Sequence, residues 1–182
     1  MITTGLAIRD ATLADAPALA ALFVEAWRDE HAGLLPEAVL AARSVAESET
    51  NWRRTLRRAE DVILVAGKAP LAGLVVGVLQ ADEWQGAAQV ALVQVARSSR
   101  RRGLGAALMR ETAGRLCRQG ADAMIVRVLE ANDGARRFYE ALGGELTPVV
   151  GQVEESGVFF AARTYVWPDI GRLAVRRGLA NP

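Results

Sequence analysis

Apolar positions recur at helical spacing through the first third of the chain, after a short strand predicted at Leu6–Arg9. A continuous apolar face predicts an amphipathic helix over Asp15–His31, with the acidic residue at its start. That face consists of Leu19, Leu22, Phe23, Ala26 and Trp27. The same spacing predicts two further helices, at Pro36–Ser44 and Glu47–Ala59.

Beyond residue 60 the pattern changes to short apolar runs bounded by turn residues, and such runs are typical of strands. The predicted strands are Asp61–Ala66, Leu74–Leu79, Val90–Val95, Met124–Val128, Leu146–Val153 and Val158–Trp167. Two more helices are predicted among them, from Gly103 to about Gln119 and over Asn132–Leu142. Gly143 is a typical helix stop, and the tail at Asp169–Arg177 is predicted to add a helical turn or two.

This order of elements predicts the α/β class, with a mixed sheet and helices on its faces. The three strands between residues 61 and 95 predict an antiparallel meander, because turns separate them. The strand–helix–strand unit from Val90 to Val128 predicts a right-handed parallel crossover. A chain of 182 residues fits one domain, 1–182, with residues 168–182 as a C-terminal tail.

Composition narrows the class of protein. A charged fraction of 24% with 51% hydrophobic residues argues against a disordered chain, and a net charge of +1 argues against a surface made throughout for polyanions. One cysteine excludes an internal disulfide, and one histidine leaves little for zinc, so no metal site is expected. The cysteine, Cys117, lies on the apolar side of its predicted helix and is expected in the core.

Targeting signals are also lacking in the sequence. No segment has eighteen consecutive apolar residues, so no transmembrane helix is expected. The N-terminus has neither the basic start nor the apolar run of a signal peptide. Together with the single cysteine, these features predict a cytoplasmic protein.

The most informative segment joins a strand to a helix through an arginine-rich loop. The strand ends near Val95, and Gly103 and Gly105 open the helix after seven intervening residues. Glycines let a ligand approach the backbone, N–H groups at a helix start bind anions, and guanidiniums add phosphate contacts. The loop arginines are Arg97, Arg100, Arg101 and Arg102. The segment therefore predicts a phosphate site, with a solvated basic turn as the alternative that the spacing alone leaves open.

Two other phosphate-binding loops fit this segment less well. In a dinucleotide-binding loop the first glycine follows the strand almost directly, and the sixth motif position is Gly or Ala, whereas here that position is Leu108. The Gly-Lys-Ser/Thr sequence of a nucleoside triphosphate loop occurs nowhere in the chain.

Two motifs resemble those of the GCN5-related N-acetyltransferase (GNAT) superfamily. The sequence Arg100-x-x-Gly103-x-Gly105, preceded by Val93-Gln-Val95, resembles the acetyl-coenzyme A motif that follows the family's fourth strand. Downstream, the family's second signature is resembled by Asn132-x-x-Ala135-x-x-Phe138-Tyr139-x-x-Leu142-Gly143. The resemblance spans Leu6 to Trp167 and implies the GNAT fold, a mixed, mostly antiparallel sheet of about six to seven strands flanked by helices.

The resemblance implies acetyl-coenzyme A (acetyl-CoA) as cosubstrate. Backbone N–H groups of the loop and the first helical turn would hold its pyrophosphate, and the backbone of Val93 and Val95 would pair with the pantetheine arm. Asn132 would touch the coenzyme or only cap its helix. The implied coenzyme-binding residues are Val93, Val95, Arg100, Arg101, Arg102, Gly103, Leu104, Gly105, Ala106, Asn132, Phe138 and Tyr139.

The implied reaction is acetyl transfer to a primary amine of a small molecule or a protein. By the same resemblance, Tyr139 is the candidate general acid for the leaving thiolate, and a backbone N–H near Val93 is the candidate donor to the carbonyl oxygen. A glutamate common on the family's fourth strand is replaced by Gln89, which cannot usefully take a proton and is expected to position water or substrate. Glu83 in the preceding loop is a candidate base. The alternatives to it are Asp82, Glu25, Glu30 and His31. A water chain, or an amine that arrives already neutral, would need no base residue.

The replacement of the acid by Gln89 supports an alternative function, a non-catalytic acyl-CoA-binding or sensing domain. A nucleic-acid-binding module is disfavoured, because acids balance the arginines and no stacking aromatics accompany them. The expected partners are acetyl-CoA and an amine acceptor, without nucleic acid or membrane, and the resemblance suggests a homodimer. Acceptor specificity is expected in the Trp27–Ala59 region and the Thr147–Phe160 hairpin.

Overall fold

The computed structural model describes residues 6–58, 61–79 and 87–175. Its helices are α1 (Ala16–His31), α2 (Glu37–Ala42), α3 (Val45–Thr55), α4 (Leu104–Arg118), α5 (Asp133–Ala141) and α6 (Ile170–Val175). Its strands are β1 (Ile8–Asp10), β2 (Val62–Ala66), β3 (Gly73–Val78), β4 (Ala87–Val95), β5 (Ala123–Leu129), β6 (Glu145–Glu155) and β7 (Val158–Trp167). Every element predicted from the sequence is present, and most of their ends differ from the prediction by one to three residues.

The seven strands form one sheet in the order β1-β2-β3-β4-β5-β7-β6. β4 and β5 are parallel, whereas β1 with β2, β5 with β7 and β6 with β7 are antiparallel. The predicted fold class is therefore confirmed, including the parallel crossover through α4. No helix within the described ranges is long and apolar enough to cross a membrane.

The chain divides into two compact units. The first unit comprises Met1–Val76 and Leu92–Leu108, and the second comprises Gly77–Ala91 and Met109–Pro182. The expectation of one domain over 1–182 stays a prediction.

The core of the first unit is built on α1 and on β2, a strand in which all five residues are buried. The start of α1 is fixed by Asp15, which pairs with Arg9 at 2.7 Å and accepts a hydrogen bond from the Thr12 backbone N–H at 2.8 Å. Phe23 on α1 meets Trp52 on α3 edge to face, with 6.0 Å between the ring centroids. The two helices α1 and α3, both predicted from apolar periodicity, thus pack against each other through apolar residues.

The core of the second unit includes Tyr139, whose ring centroid lies about 6 Å from those of the buried Tyr165 and Trp167. Gly144 permits this packing, because a Cβ there would lie 2.7 Å from the Trp167 ring and 3.1 Å from the Tyr139 carbonyl oxygen. An aromatic side chain has no room at Gly144. Trp167 already occupies that space.

The expectation for Cys117 is wrong, because its side chain is exposed. The buried positions of α4 are Leu104, Leu108, Met109, Thr112, Ala113 and Leu116. Cys117 follows the last of these by one residue, a rotation of about 100° around the helix, and so lies beyond the apolar stripe.

Candidate active site

β4 changes its partner pattern halfway along its length. Its parallel ladder with β5 pairs Ala87–Val90 with Ala123–Val126, and β4 then continues to Val95 while β5 continues to Leu129. Val93 and Val95, the predicted partners of the pantetheine arm, therefore lie beyond the last pair of this ladder. Both are partly buried.

The loop after β4 is shaped by a short 3-10 turn at Arg97–Ser99 and by two residues with positive φ. Arg101 has φ 61° and Gly103 has φ 80°, and a Cβ on Gly103 would meet nothing within 4 Å. The Gly103 carbonyl accepts the first bond of α4, from the Ala107 N–H at 3.0 Å. The N–H groups of the first turn of α4 therefore have no helical acceptor, as at any helix start, and an anion can bind there.

The loop arginines fall into two pairs with different surroundings. Arg97 binds Asp29 of α1 through two nitrogens, at 2.6 and 3.3 Å, and Arg100 reaches the same carboxylate at 3.3 Å. Arg100 also donates to the Val95 carbonyl at 3.0 Å, so this oxygen already has one partner. Arg101 and Arg102 are exposed and have no partner among the residues that the structure describes. Two guanidiniums thus share the single negative charge of Asp29, and two face solvent without a partner among the described residues.

The predicted residues of the second signature lie in the second unit. Asn132 caps α5, since its Oδ1 accepts from the Ala135 N–H at 3.0 Å. This confirms the capping alternative for the side chain, and its contact with the coenzyme stays a prediction. Tyr139 is buried beside the partly buried Phe138, with 5.3 Å between the ring centroids.

Tyr165 was not singled out by sequence reasoning, although it is the only other tyrosine of the chain. Its hydroxyl donates to the Glu140 carboxylate at 2.7 Å and accepts from Arg136 at 3.4 Å. Burial raises the pKa of Tyr165, and donation to Glu140 raises it further, although Arg136 acts in the opposite direction. The last predicted strand shows no alternation of apolar and polar residues that would mark Tyr165 as inward, and its burial is visible only in the structure.

The candidate bases are scattered. Gln89 is partly buried and pairs with Ile125 in the β4–β5 ladder, while Glu83 and Asp82 lie outside the described residues. Glu25 and Glu30 are exposed on α1. His31 is buried, stacks on Trp27, and contacts the Trp27 carbonyl oxygen through Nδ1 at 2.9 Å. Because a carbonyl only accepts, Nδ1 carries the proton of the neutral ring.

A buried polar residue that the sequence reasoning passed over lies between the two predicted backbone partners. Gln94 on β4 is 4% exposed. Neither its Oε1 nor its Nε2 has a hydrogen-bond partner among the described residues. A glutamine inside the apolar run Val90–Val95 was the signal that could have identified it.

The family model for the acetyltransferase (GNAT) family matches residues 19–144 of the chain. The chain therefore belongs to this family, whose members are acyltransferases, and the resemblance based on the two motifs is confirmed. No curated protein sequence matches the chain significantly.

Solved structures of N-acetyltransferases show the same fold at low sequence identity. The enzyme from Staphylococcus aureus Mu50 is 14% identical, with a TM-score of 0.71 over 92% of this chain and 99% of that one. The ribosomal-protein-alanine N-acetyltransferase from Brucella melitensis is 20% identical, with a TM-score of 0.69 over 89% and 99%. The PaiA N-acetyltransferase from Thermoplasma acidophilum, solved in complex with coenzyme A, is 17% identical, with a TM-score of 0.70 over 89% and 100%.

Proposed function

We propose that this protein is an acetyl-CoA-dependent N-acetyltransferase that acetylates a primary amine of a small molecule or a protein. The supporting observation is the loop from β4 to α4. It combines two positive-φ residues, a helix N-terminus and two exposed arginines without partners among the described residues. A structural neighbour with the same fold was solved with coenzyme A.

The coenzyme diphosphate binds to the backbone N–H groups from Arg101 to Ala106, since a helix start favours an anion. Arg102 and Arg101 add charge-assisted contacts to phosphate, because their guanidiniums are not engaged by Asp29. The backbone of Val93 and Val95 holds the pantetheine arm. Arg100 fixes the Val95 carbonyl, which retains a second lone pair for the arm.

The chemistry is attack of a neutral amine on the thioester carbonyl. The new C–N bond forms, the C–S bond breaks, the amine nitrogen loses a proton, and the thiolate gains one. The N–H near Val93 stabilises the oxygen that becomes negative, and Tyr139 supplies the proton to the thiolate. An ordinary tyrosine has a pKa of about 10 and a thiol about 8.5, so this transfer completes only as the tyrosinate recovers the proton released by the amine.

Tyr139 is preferred over Tyr165 as the general acid because the Tyr165 hydroxyl is already hydrogen-bonded to Glu140 and Arg136. The Tyr165 hydroxyl already donates a hydrogen bond to Glu140, and the pKa of Tyr165 is raised. Tyr165 is therefore a poor proton donor to the thiolate. Gln89 keeps its predicted role of positioning water or substrate. Glu83 stays the candidate base, which would relay the proton of the attacking amine to the tyrosinate.

Calorimetry with acetyl-CoA and thiol release with four amines test this function. The amines are spermidine, glucosamine, L-methionine amide and a hexapeptide that begins with alanine. We expect acetyl-CoA to bind at micromolar concentration and at least one amine to accelerate thiol release. Absence of both would refute the proposal, whereas tight binding without release would assign a non-catalytic acyl-CoA sensor.

A further inference from the structure

Gln94 is the least satisfied buried group described in the first unit. Its carboxamide offers two N–H donors and one carbonyl acceptor, and none of these has a partner among the described residues. Burying an unpaired polar group costs folding free energy, and most buried side-chain polar atoms in proteins are paired. A residue that opposes folding in this way is expected at a binding site, where a ligand completes its hydrogen bonds.

The position of Gln94 on β4 indicates which ligand that is. Val93 and Val95, on either side of it, present their backbone groups in the plane of the sheet, where an extended arm pairs with them. Side chains stand perpendicular to that plane and alternate along a strand, so Gln94 points to one face and its two neighbours to the other. A ligand that arrives from the face of the sheet meets Gln94, whereas one that lies in the sheet meets the backbone.

The opposite face is closed by α4. The hydrogen bond from the Ala96 N–H to the Ala72 carbonyl sets the register of β3 and β4, so Gly73 shares a face with Val95 and not with Gln94. A Cβ on Gly73 would lie 2.9 Å from Leu108 and 3.4 Å from Leu104, so the start of α4 packs directly on that face. A molecule approaching this part of β4 from outside the sheet therefore arrives on the side of Gln94.

We infer that the Gln94 carboxamide binds and orients the amine acceptor. This inference rests on the proposed function, in which the thioester lies along Val93 and Val95. A nucleophile attacks a carbonyl from above or below its plane, and Gln94 lies on the face of β4 opposite to the one that the start of α4 covers. Oε1 accepts a hydrogen bond from the attacking amine, and Nε2 donates to a carbonyl or hydroxyl oxygen of the acceptor. The substrate class is thus an amine with an adjacent oxygen function.

The test compares Gln94→Met with the wild type. Methionine has a similar length and shape but no hydrogen-bonding amide, so the variant removes the unpaired group without a large cavity. We expect an equal or higher urea midpoint, an unchanged dissociation constant for acetyl-CoA, and a KM raised about ten- to hundredfold. KM is measured for the panel amine with the highest turnover. Gln94→Asn, which keeps the amide one methylene shorter, gives an intermediate KM.

Thr112→Val is the matched control. Thr112 on α4 is fully buried, and its hydroxyl also lacks a partner among the described residues, but it belongs to the second unit and to no proposed site. This variant is expected to keep the wild-type KM while its urea midpoint is equal or higher. The two variants thus separate loss of an unpaired polar group from loss of a substrate contact.

Three results would overturn the inference. They are a wild-type KM for Gln94→Met, a lower urea midpoint with unchanged kinetics, and a dissociation constant for acetyl-CoA that rises as much as KM does. Each of these leaves the wild-type enzyme active, so they differ from failure of the proposed function, in which the wild type neither binds acetyl-CoA nor releases thiol.

Discussion

Two tyrosines with contrasting surroundings provide the first prediction at the scale of single residues. Tyr139→Phe removes the proposed proton donor but keeps the ring that packs against Tyr165 and Trp167. We expect kcat to fall about 100-fold or more, the usual contribution of a general acid, while the dissociation constant for acetyl-CoA stays within about twofold. Steady-state thiol release and calorimetry measure the two quantities.

Tyr165→Phe is the matched comparison for this prediction. It removes a hydroxyl that bonds Glu140 and Arg136, so it is expected to lower the free energy of unfolding by about 1 to 2 kcal/mol. Its kcat is expected to change far less than that of Tyr139→Phe. Equal losses of kcat and of acetyl-CoA affinity in Tyr139→Phe would mean that Tyr139 is structural.

Asp15 gives a pH-dependent prediction at the same scale. The Arg9 guanidinium, bound through both nitrogens at 2.7 Å, and the Thr12 N–H hold the pKa of Asp15 well below its usual range. A lowered pKa in the folded state means that this stabilisation is complete above the ordinary aspartate pKa of about 4. It decreases progressively as the pH falls below that value, and it is fully lost only below the lowered pKa of the folded state.

Asp15→Asn is therefore expected to lower the free energy of unfolding by about 2 kcal/mol at pH 7, and by about 1 kcal/mol less than that near pH 3. Urea denaturation at both pH values measures the difference. Glu49→Gln is the control, because Glu49 forms an exposed pair with Arg53 on one helix, a kind worth about 0.5 kcal/mol. A loss for Asp15→Asn that is independent of pH would contradict the assigned pKa.

At the scale of elements, Asp29 joins α1 to the loop between β4 and α4. Its carboxylate binds Arg97 and Arg100, which lie 68 and 71 residues further along the chain. These ion pairs tie the loop to α1. The charge of these two arginines is thereby reduced before any phosphate arrives.

The next prediction follows from this division of the arginines. Arg102→Gln and Arg101→Gln each remove a guanidinium with no described partner, so each is expected to weaken acetyl-CoA binding about threefold to tenfold at low salt. The loss diminishes at high salt, where charges on the surface are screened. Arg97→Gln is expected to change the dissociation constant for acetyl-CoA by no more than about twofold. Calorimetry at two salt concentrations measures this constant for all three variants. An equal loss of acetyl-CoA affinity in Arg97→Gln and Arg102→Gln would contradict this division between arginines that bind Asp29 and arginines without a described partner.

The sequence predicts elements better than it predicts contacts between them. Helical periodicity is a local property, so α1, α4 and α5 were predicted to within about two residues. β4 begins three residues before its predicted start, because Ala87 and Ala88 lack the β-branched side chains by which a strand is usually recognised, although the sheet buries both.

In the candidate site too, the sequence predicts residues that belong to motifs better than it predicts contacts between distant residues. The glycine pair was noticed from its spacing, and Tyr139 was identified through the resemblance to the family's second signature. The Asp29 contacts, the Glu140 partner of Tyr165 and the unpaired amide of Gln94 depend on residues brought together only by folding. No short pattern in the sequence reports such contacts, because ion pairs and buried unpaired groups are properties of the packed chain.

At the scale of the whole molecule, the two units are continuous through secondary structure. The divisions at Val76, Ala91 and Leu108 fall inside β3, β4 and α4 respectively. Helices and strands gain stability from an unbroken series of hydrogen bonds, so neither unit is expected to unfold while the other keeps its part of these three elements. The chain is therefore predicted to behave thermodynamically as one domain.

Differential scanning calorimetry tests this last prediction. We expect one transition, with equal calorimetric and van't Hoff enthalpies of about 130 kcal/mol if it occurs near 60 °C, from about 0.7 kcal/mol per residue. Leu64→Ala in the first unit and Met124→Ala in the second each empty a fully buried position. Both are expected to lower the midpoint of that one transition. Two transitions, with each variant moving a different one, would show instead that the units are separate domains.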